Sequence, residues 1–378
     1  MIYLDYNATT PCDDEVVKAM LPYFSQKFGN AASRTHAFGW VADEAVVKAR
    51  KQVAQLIHAV EQEIIFTSGA TEGCNLALKG IYELYAVKGK HIITCLTEHK
   101  AVLDSCKSLA ERGADITYLP VDENGIIDLA VLENAIRPDT ILIAIMYANN
   151  ETGVVQDIAA IGRLAKKHNV IFFTDATQAV GKLRVDVEAD NIDLMVFSAH
   201  KLYGPKGVGA MYIRRRGPRV RLMPQIDGGG HEKGFRSGTL NVPAIVGLGM
   251  ACELSEKQLT QEQERIVALR DKLENALAPY CITVNGWRSK RLPHVSNLSF
   301  KGITAEKLVS LLQGDVAFSV GSACTSAKKE PSHVLAAMTE DEATLNGAVR
   351  FSLGRFTTEA EIDKSIGLIK AIVASINI

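Results

Sequence analysis

Lys201 closes the stretch Ser198-Ala199-His200-Lys201, directly after Asp193-Leu194-Met195-Val196-Phe197, an apolar run that reads as a buried strand. A glycine-containing segment, Leu202-Tyr203-Gly204-Pro205-Lys206, leads into a second apolar run, Gly207-Val208-Gly209-Ala210-Met211-Tyr212-Ile213. A cation at the end of a buried strand is costly to desolvate. The position suits an amine kept partly neutral for Schiff-base chemistry with an aldehyde cofactor. A surface lysine in a β-hairpin is the competing reading, and the other chemistry-bearing residues decide between the two.

Four further clusters follow apolar runs in the same way. Ser68-Gly69-Ala70-Thr71-Glu72 follows Thr67, and Glu98-His99-Lys100 comes shortly after Cys95. Asn149-Asn150-Glu151-Thr152-Gly153 follows Met146, and Asp175-Ala176-Thr177-Gln178 follows Thr174. In an open α/β sheet the carboxyl edge of the strands is where ligands bind, so five clusters there argue for one composite site. Ala70 and Thr71 at a helix start offer free N–H groups and a hydroxyl to a phosphate. Asp175 at a buried strand end needs a cationic partner, such as a protonated ring nitrogen. His99 has a flat ring able to stack on an aromatic cofactor or to shuttle protons. Asn150 and Gln178 are neutral donors suited to a phenolate oxygen or a carboxylate. Taken singly, each is more often a loop cap or a satisfied core residue. Pyridoxal 5'-phosphate asks for the whole set: a lysine for its aldehyde, an acid for its pyridinium and a phosphate cradle.

The elements that must position these groups are legible as alternating patterns. Strand candidates are Glu63–Thr67, His91–Cys95, Asp115–Leu119, Thr140–Met146, Val170–Thr174, Asp193–Phe197 and Val208–Ile213. Helix-period segments such as Asp157–His168 lie between several of them, the signature of a mostly parallel sheet covered by helices. A long helical pattern, Val242–Leu277, then leads to runs at Val295–Phe300, Val316–Val320 and Ala348–Leu353, with helices near Ala305–Gln313 and Glu359–Ile376. This reads as a large α/β domain over 13–255 and a smaller α+β domain formed by 1–12 and 256–378. The 378 residues carry 42 basic and 43 acidic side chains, a balance that implies neither a nucleic-acid nor a membrane partner. No apolar stretch approaches a membrane span, and no signal core opens the chain. Seven cysteines without a CxxC pair fit a reducing cytoplasm.

At these residues the chain resembles the cysteine desulfurases of the NifS/IscS family, among the class V, fold-type I pyridoxal phosphate enzymes. The resemblance runs from Tyr3-Leu4-Asp5-Tyr6-Asn7-Ala8-Thr9-Thr10-Pro11 through Thr67-Ser68-Gly69-Ala70-Thr71-Glu72 and Thr97-Glu98-His99-Lys100. It continues in Asn149-Asn150-Glu151, Asp175-Ala176-Thr177-Gln178, Ser198-Ala199-His200-Lys201 and Arg236-Ser237-Gly238-Thr239. It closes with Gly321-Ser322-Ala323-Cys324 and Val349-Arg350-Phe351-Ser352-Leu353-Gly354-Arg355. The resemblance implies a fold-type I transferase: a mostly parallel, mixed seven-stranded sheet beside a smaller α+β domain, acting as a homodimer. Lys201 would bind the cofactor aldehyde and later move the substrate's α-proton. Asp175 would hold the pyridinium, His99 would stack and act as acid and base, and Gln178 would bond the phenolic oxygen. Ala70, Thr71, Ser198 and His200 would bind the phosphate, with Thr239 reaching across from a second subunit. Asn150, beside the cofactor, and Arg350 would hold the substrate carboxylate.

Cys324 stands in Gly321-Ser322-Ala323-Cys324-Thr325-Ser326-Ala327-Lys328-Lys329-Glu330-Pro331, a run of small residues that reads as a loop. The other six cysteines read as structural. The resemblance implies a long-loop, group I enzyme in which the Cys324 thiolate takes sulfur from L-cysteine as a persulfide and leaves L-alanine. The sulfur would then pass to an iron–sulfur scaffold protein or another acceptor, including those of tRNA thiolation. No resident metal is implied, although Cys324 is placed to hold a transferred iron–sulfur cluster in a complex. The competing activities are a selenocysteine lyase or another fold-type I aminotransferase, and, from a different class, a non-catalytic sulfur-relay scaffold. Departures from the family pattern are Ala31, Cys74, Val320 and His231, where proline, asparagine, serine and glutamine are common. The chain ends at Ile378 without the longer tail that family members use to dock a scaffold, which bears on partner choice more than on activity.

Overall fold

The computed structural model of the chain describes residues 1–320 and 331–376, so the Cys324 expectation lies outside the described residues. The strands, in chain order, are β1 (Ile2–Tyr3), β2 (Ile64–Thr67), β3 (His91–Cys95), β4 (Asp115–Leu119), β5 (Thr140–Ala144), β6 (Ile171–Asp175), β7 (Leu194–Ser198) and β8 (Gly209–Ile213). They are followed by β9 (Cys281–Val284), β10 (Val295–Phe300), β11 (Val316–Ala317), β12 (Ser319–Val320) and β13 (Ala348–Ser352).

Seven of these strands form one mixed sheet in the order β2-β8-β7-β6-β5-β3-β4. All neighbours are parallel except β8, which runs antiparallel to both β2 and β7. The central strands are buried on both faces, which is why they read as continuous apolar runs. Alternation then sorts their side chains into two cores. Phe66, Ile93, Ile143, Phe172, Met195 and Phe197 face one layer, against the Ala37–Leu56 and Val242–Leu277 helices. Ile65, Ile92, Leu142, Phe173, Val196 and Met211 face the other, against the Ala70–Tyr85 and Lys100–Ala110 helices.

A four-stranded antiparallel sheet, β12-β13-β10-β9, surrounds itself with a third apolar cluster that takes in Leu269, Leu273 and Leu277 of the long helix. The N-terminal strand β1 pairs parallel with β11, and Asp5 bridges to Ser352. The run expected at Val316–Val320 is therefore two short strands with different partners. The strand expected to reach Met146 is regular only to Ala144; Ile145 and Tyr147 still donate to the Phe173 and Asp175 carbonyls of β6, while the Met146 N–H between them turns to the Glu98 carboxylate. No helix among the described residues is long and apolar enough to cross a membrane.

Candidate active site

Strands β2, β3, β5, β6 and β7 share one direction, so their carboxyl ends share one edge of the sheet. A cleft of about 250 Å³ opens there. Ala70 and Thr71 line it from the end of β2, His99 from β3 and Asn150 from β5. Asp175 and Gln178 enter it from β6, and Ser198, His200 and Lys201 from β7. A second cleft, of about 290 Å³, lies near the amino ends of β6 and β7 and is lined by none of these clusters.

Lys201 ends a single 3₁₀ turn, Ala199–Lys201, in the antiparallel β7–β8 connection. It does sit in a hairpin, yet it is half-buried, and its Nζ donates to the carbonyls of Asn7 and, at 2.9 Å, Ala8. Asp175 is the last ladder residue of β6. Its Oδ1 accepts from the Thr177 N–H at 2.9 Å, and the Cys74 thiol lies 3.9 Å from Oδ2. No ion pair within the described residues neutralises this carboxylate, an arrangement that fits a protonated ring nitrogen. His99 caps the Lys100–Ala110 helix: its Nδ1 accepts from the Ala101 N–H at 3.1 Å, so the neutral ring carries its proton on Nε2. The cap also fixes the plane of the ring beside the cleft.

The phosphate end is equally specific. Helix Ala70–Tyr85 begins after Gly69 with no side-chain cap, leaving its N-terminus open to an anion. The Ala70 N–H donates to Ser198 Oγ at 2.7 Å, joining the β2 and β7 clusters. His200 sits 3.2 Å from Thr9 Oγ1. Burial first, then Lys201 and Lys206, push its pKa down to about 4, so it meets an anion as a neutral ring. These residues fit pyridoxal 5'-phosphate at both ends of the cleft.

Two expected residues do not line the cleft. Thr239 is exposed on its own chain. Arg350 is buried on β13, where Nη2 donates to Asp5 at 2.7 Å and Nη1 to the Asn150 carbonyl at 3.0 Å; its Nε has no partner. Sequence reasoning missed Ala8, which lines the cleft, Asn7, which contacts Lys201 and Gln178, and Thr177, whose buried Oγ1 has no partner. The signal for Thr177 was its place two residues after Asp175; for Asn7 and Ala8 it was a polar turn right after an apolar start.

All six described cysteines have thiols raised above their ordinary range, burial being the largest cause in each. Cys106 and Cys281 are pushed up to about 12, and Cys74, Cys95, Cys252 and Cys12 move the same way. None of them is a ready thiolate at neutral pH.

The seven-stranded sheet with its clustered carboxyl edge defines an aminotransferase-like protein of fold-type I. Residues 2–364 match the aminotransferase class-V family, and the chain belongs to that family. It is 54% identical over 369 residues to a protein of Anaeromyxobacter dehalogenans named cysteine desulfurase IscS, covering 97% of this chain and 91% of that relative. A solved NifS-like protein superposes with a TM-score of 0.92 at 38% identity, over 99% of both chains. A second solved structure, SspA in complex with cysteine, gives a TM-score of 0.85 at 37% identity, over 95% of this chain and 100% of the other.

Proposed function

We propose that the chain is a cysteine desulfurase: it takes L-cysteine, releases L-alanine and carries the sulfur as a persulfide on Cys324. The observation that carries this reading is Asp175, a carboxylate lining the Lys201 cleft without a cationic partner among the described residues. Lys201, Asp175, His99 and Gln178 would hold pyridoxal 5'-phosphate, with Ala70, Thr71, Ser198 and His200 around its phosphate. When bound, that group supplies an aldehyde for amine capture and a ring that accepts electrons from the substrate carbon. Lys201 moves the α-proton, and His99, its proton on Nε2, serves as acid. Arg350 and Asn150 receive the substrate carboxylate; the unpartnered Arg350 Nε supports that role. With six thiols held protonated, Cys324 is the remaining acceptor for sulfur.

The reading extends to a homodimer in the cytoplasm that hands sulfur to an iron–sulfur scaffold or other acceptor proteins. Phe28 and Phe38, both exposed and with ring centres 5.2 Å apart, offer a second copy an aromatic patch. Thr239, exposed here, would complete the partner's phosphate cradle. It also keeps the division into a large domain over 13–255 and a small one from 1–12 and 256–378. Cys324→Ala tests the chemistry. Sulfide release from L-cysteine should vanish while the bound cofactor's absorbance stays, and Lys201→Ala should lose that absorbance. Undiminished turnover by Cys324→Ala sinks the mechanism, and a protein that sediments as a monomer removes Thr239 from the site.

A further inference from the structure

Asn7 links the small sheet to Lys201. Its backbone N–H donates to Ser352 Oγ on β13 at 2.9 Å, and its carbonyl accepts from Lys201 Nζ and, at 3.3 Å, from Gln178 Nε2. Its side-chain Nδ2 donates to the Asn150 carbonyl at 2.9 Å. That bond fixes the amide's orientation, so Oδ1 must be the atom turned toward His294 Nε2, 2.7 Å away. Oδ1 can only accept, and His294 therefore carries its proton on Nε2. His294 is 2% exposed, directly precedes β10, and leaves Nδ1 without a hydrogen-bond partner. Burial first, then Lys182, Arg270, Arg350 and Lys201, hold its pKa well below the usual imidazole range, so the ring is neutral.

We propose that His294 is a positioning residue for Lys201: it holds the Asn7 side chain, and Asn7 presents its own carbonyl and that of Ala8 to the lysine amine. The inference rests on Lys201 being the amine that takes the cofactor. Once substrate displaces Lys201 from that bond, the released amine needs acceptors close by to stay within reach of the substrate carbon. The Asn7 and Ala8 carbonyls are such acceptors, and their aim depends on an N-terminal turn anchored by His294 and Ser352. His294 touches no reacting atom itself. A positioning group of this kind alters the speed of the lysine's departures and returns more than substrate affinity.

The test uses the holoenzyme mixed rapidly with L-cysteine, following loss of the absorbance of the Lys201-linked cofactor, alongside steady-state turnover. His294→Met, apolar and of similar size, should slow both the absorbance change and kcat by roughly tenfold, with KM within about twofold. The resting absorbance should be unaltered. His294→Gln, which carries an N–H at the reach of Nε2, should recover most of the rate. Asn7→Ala should be as slow or slower, and adding His294→Met to it should change nothing further, as members of one chain of contacts behave. An unchanged absorbance rate in His294→Met, no recovery by His294→Gln, or losses that multiply in the double variant would each overturn the proposal. If His294→Met does not fold, Asn7→Ala alone must show the slowed step, and full-speed reaction there overturns it equally. A wild-type protein that shows no cofactor absorbance would instead refute the proposed function.

Discussion

Glu98 holds a carboxyl where no cation pairs with it among the described residues. Its Oε1 accepts from the Met146 N–H, with the Cys95 thiol at 3.5 Å, while its buried Oε2 has no partner. Burial first, and the Asp175 charge second, push its pKa up to about 8. The folded chain thus keeps this proton between the ordinary value of 4.5 and about 8, where an unfolded chain releases it. The group's stabilisation is full below 4.5 and is lost as pH rises through about 8. Glu98→Gln removes that dependence. Its melting temperature should gain on wild type progressively from about pH 5 to pH 8, by on the order of a few degrees at the upper end. A difference that stays constant across calorimetric scans in that range would mean Glu98 is ionised in the fold. Sequence placed Glu98 beside His99 but gave it no task, because its partner N–H comes from the end of a different strand.

At the scale of elements, the site depends on how closely β2 and β7 approach across β8. The register sets Gly209 opposite both Thr67 and Ser198, so one glycine lies between the two phosphate-binding clusters. A Cβ there would meet the Phe197 carbonyl oxygen at 2.5 Å and Gly69 Cα at 2.8 Å, both backbone atoms that cannot swing aside. Gly209→Ala should therefore spread the Ala70 and Ser198 ends, loosening cofactor binding by roughly ten- to a hundredfold while far-ultraviolet dichroism stays native. Titration of the apoenzyme with pyridoxal 5'-phosphate measures it, and unchanged affinity would show that the strands absorb the methyl group. This layout was largely legible: the apolar runs gave the seven strands within one or two residues at each end, because all but the half-exposed edge strand β4 are buried along nearly their whole length and carry an unbroken signal. The direction of β8 was not, since an apolar run reads the same either way. Nor was the split of Val316–Val320, where only the partners, β1 and β13, distinguish two strands from one. The Asp5–Arg350 pair was hidden for a similar reason, its members lying at opposite ends of the chain.

For the whole molecule, the decisive joint is where the small sheet meets the lysine hairpin. Arg355, just beyond β13, donates from Nη1 to Asp13 and from Nε to Glu262 of the long Val242–Leu277 helix, each at 2.9 Å. Its guanidinium also lies 4.2 Å from the centre of the Tyr203 ring, two residues past Lys201, and its backbone N–H donates to the Tyr203 hydroxyl at 2.6 Å. Lys182 approaches the same ring at 4.1 Å and stands 4.0 Å from Glu262. Burial pushes the Lys182 pKa down to about 8, so it is an incomplete substitute for the arginine charge. The side chains of Arg355, Asp13 and Glu262 are 11 to 14% exposed, so the network is largely, though not fully, withdrawn from solvent. Removing the arginine strands two carboxylates in a poorly solvated joint, a loss of about 3–5 kcal/mol for groups of this kind. Arg355→Ala should therefore lower stability to chemical denaturation by that amount. Arg355→Lys should fall between, because an ammonium cannot fork to both acids. Neutralising the acids as well, in Arg355→Met with Asp13→Asn and Glu262→Gln, should restore much of the stability, since no charge is then left buried alone. Turnover should stay depressed in that triple variant, because the fork that ties the small sheet to the Tyr203 side of the Lys201 hairpin is gone. Recovery of both together would mean that the network balances charge without positioning the small sheet against the Lys201 hairpin, and a loss below about 1 kcal/mol in Arg355→Ala would mark it as a solvent-screened surface pair.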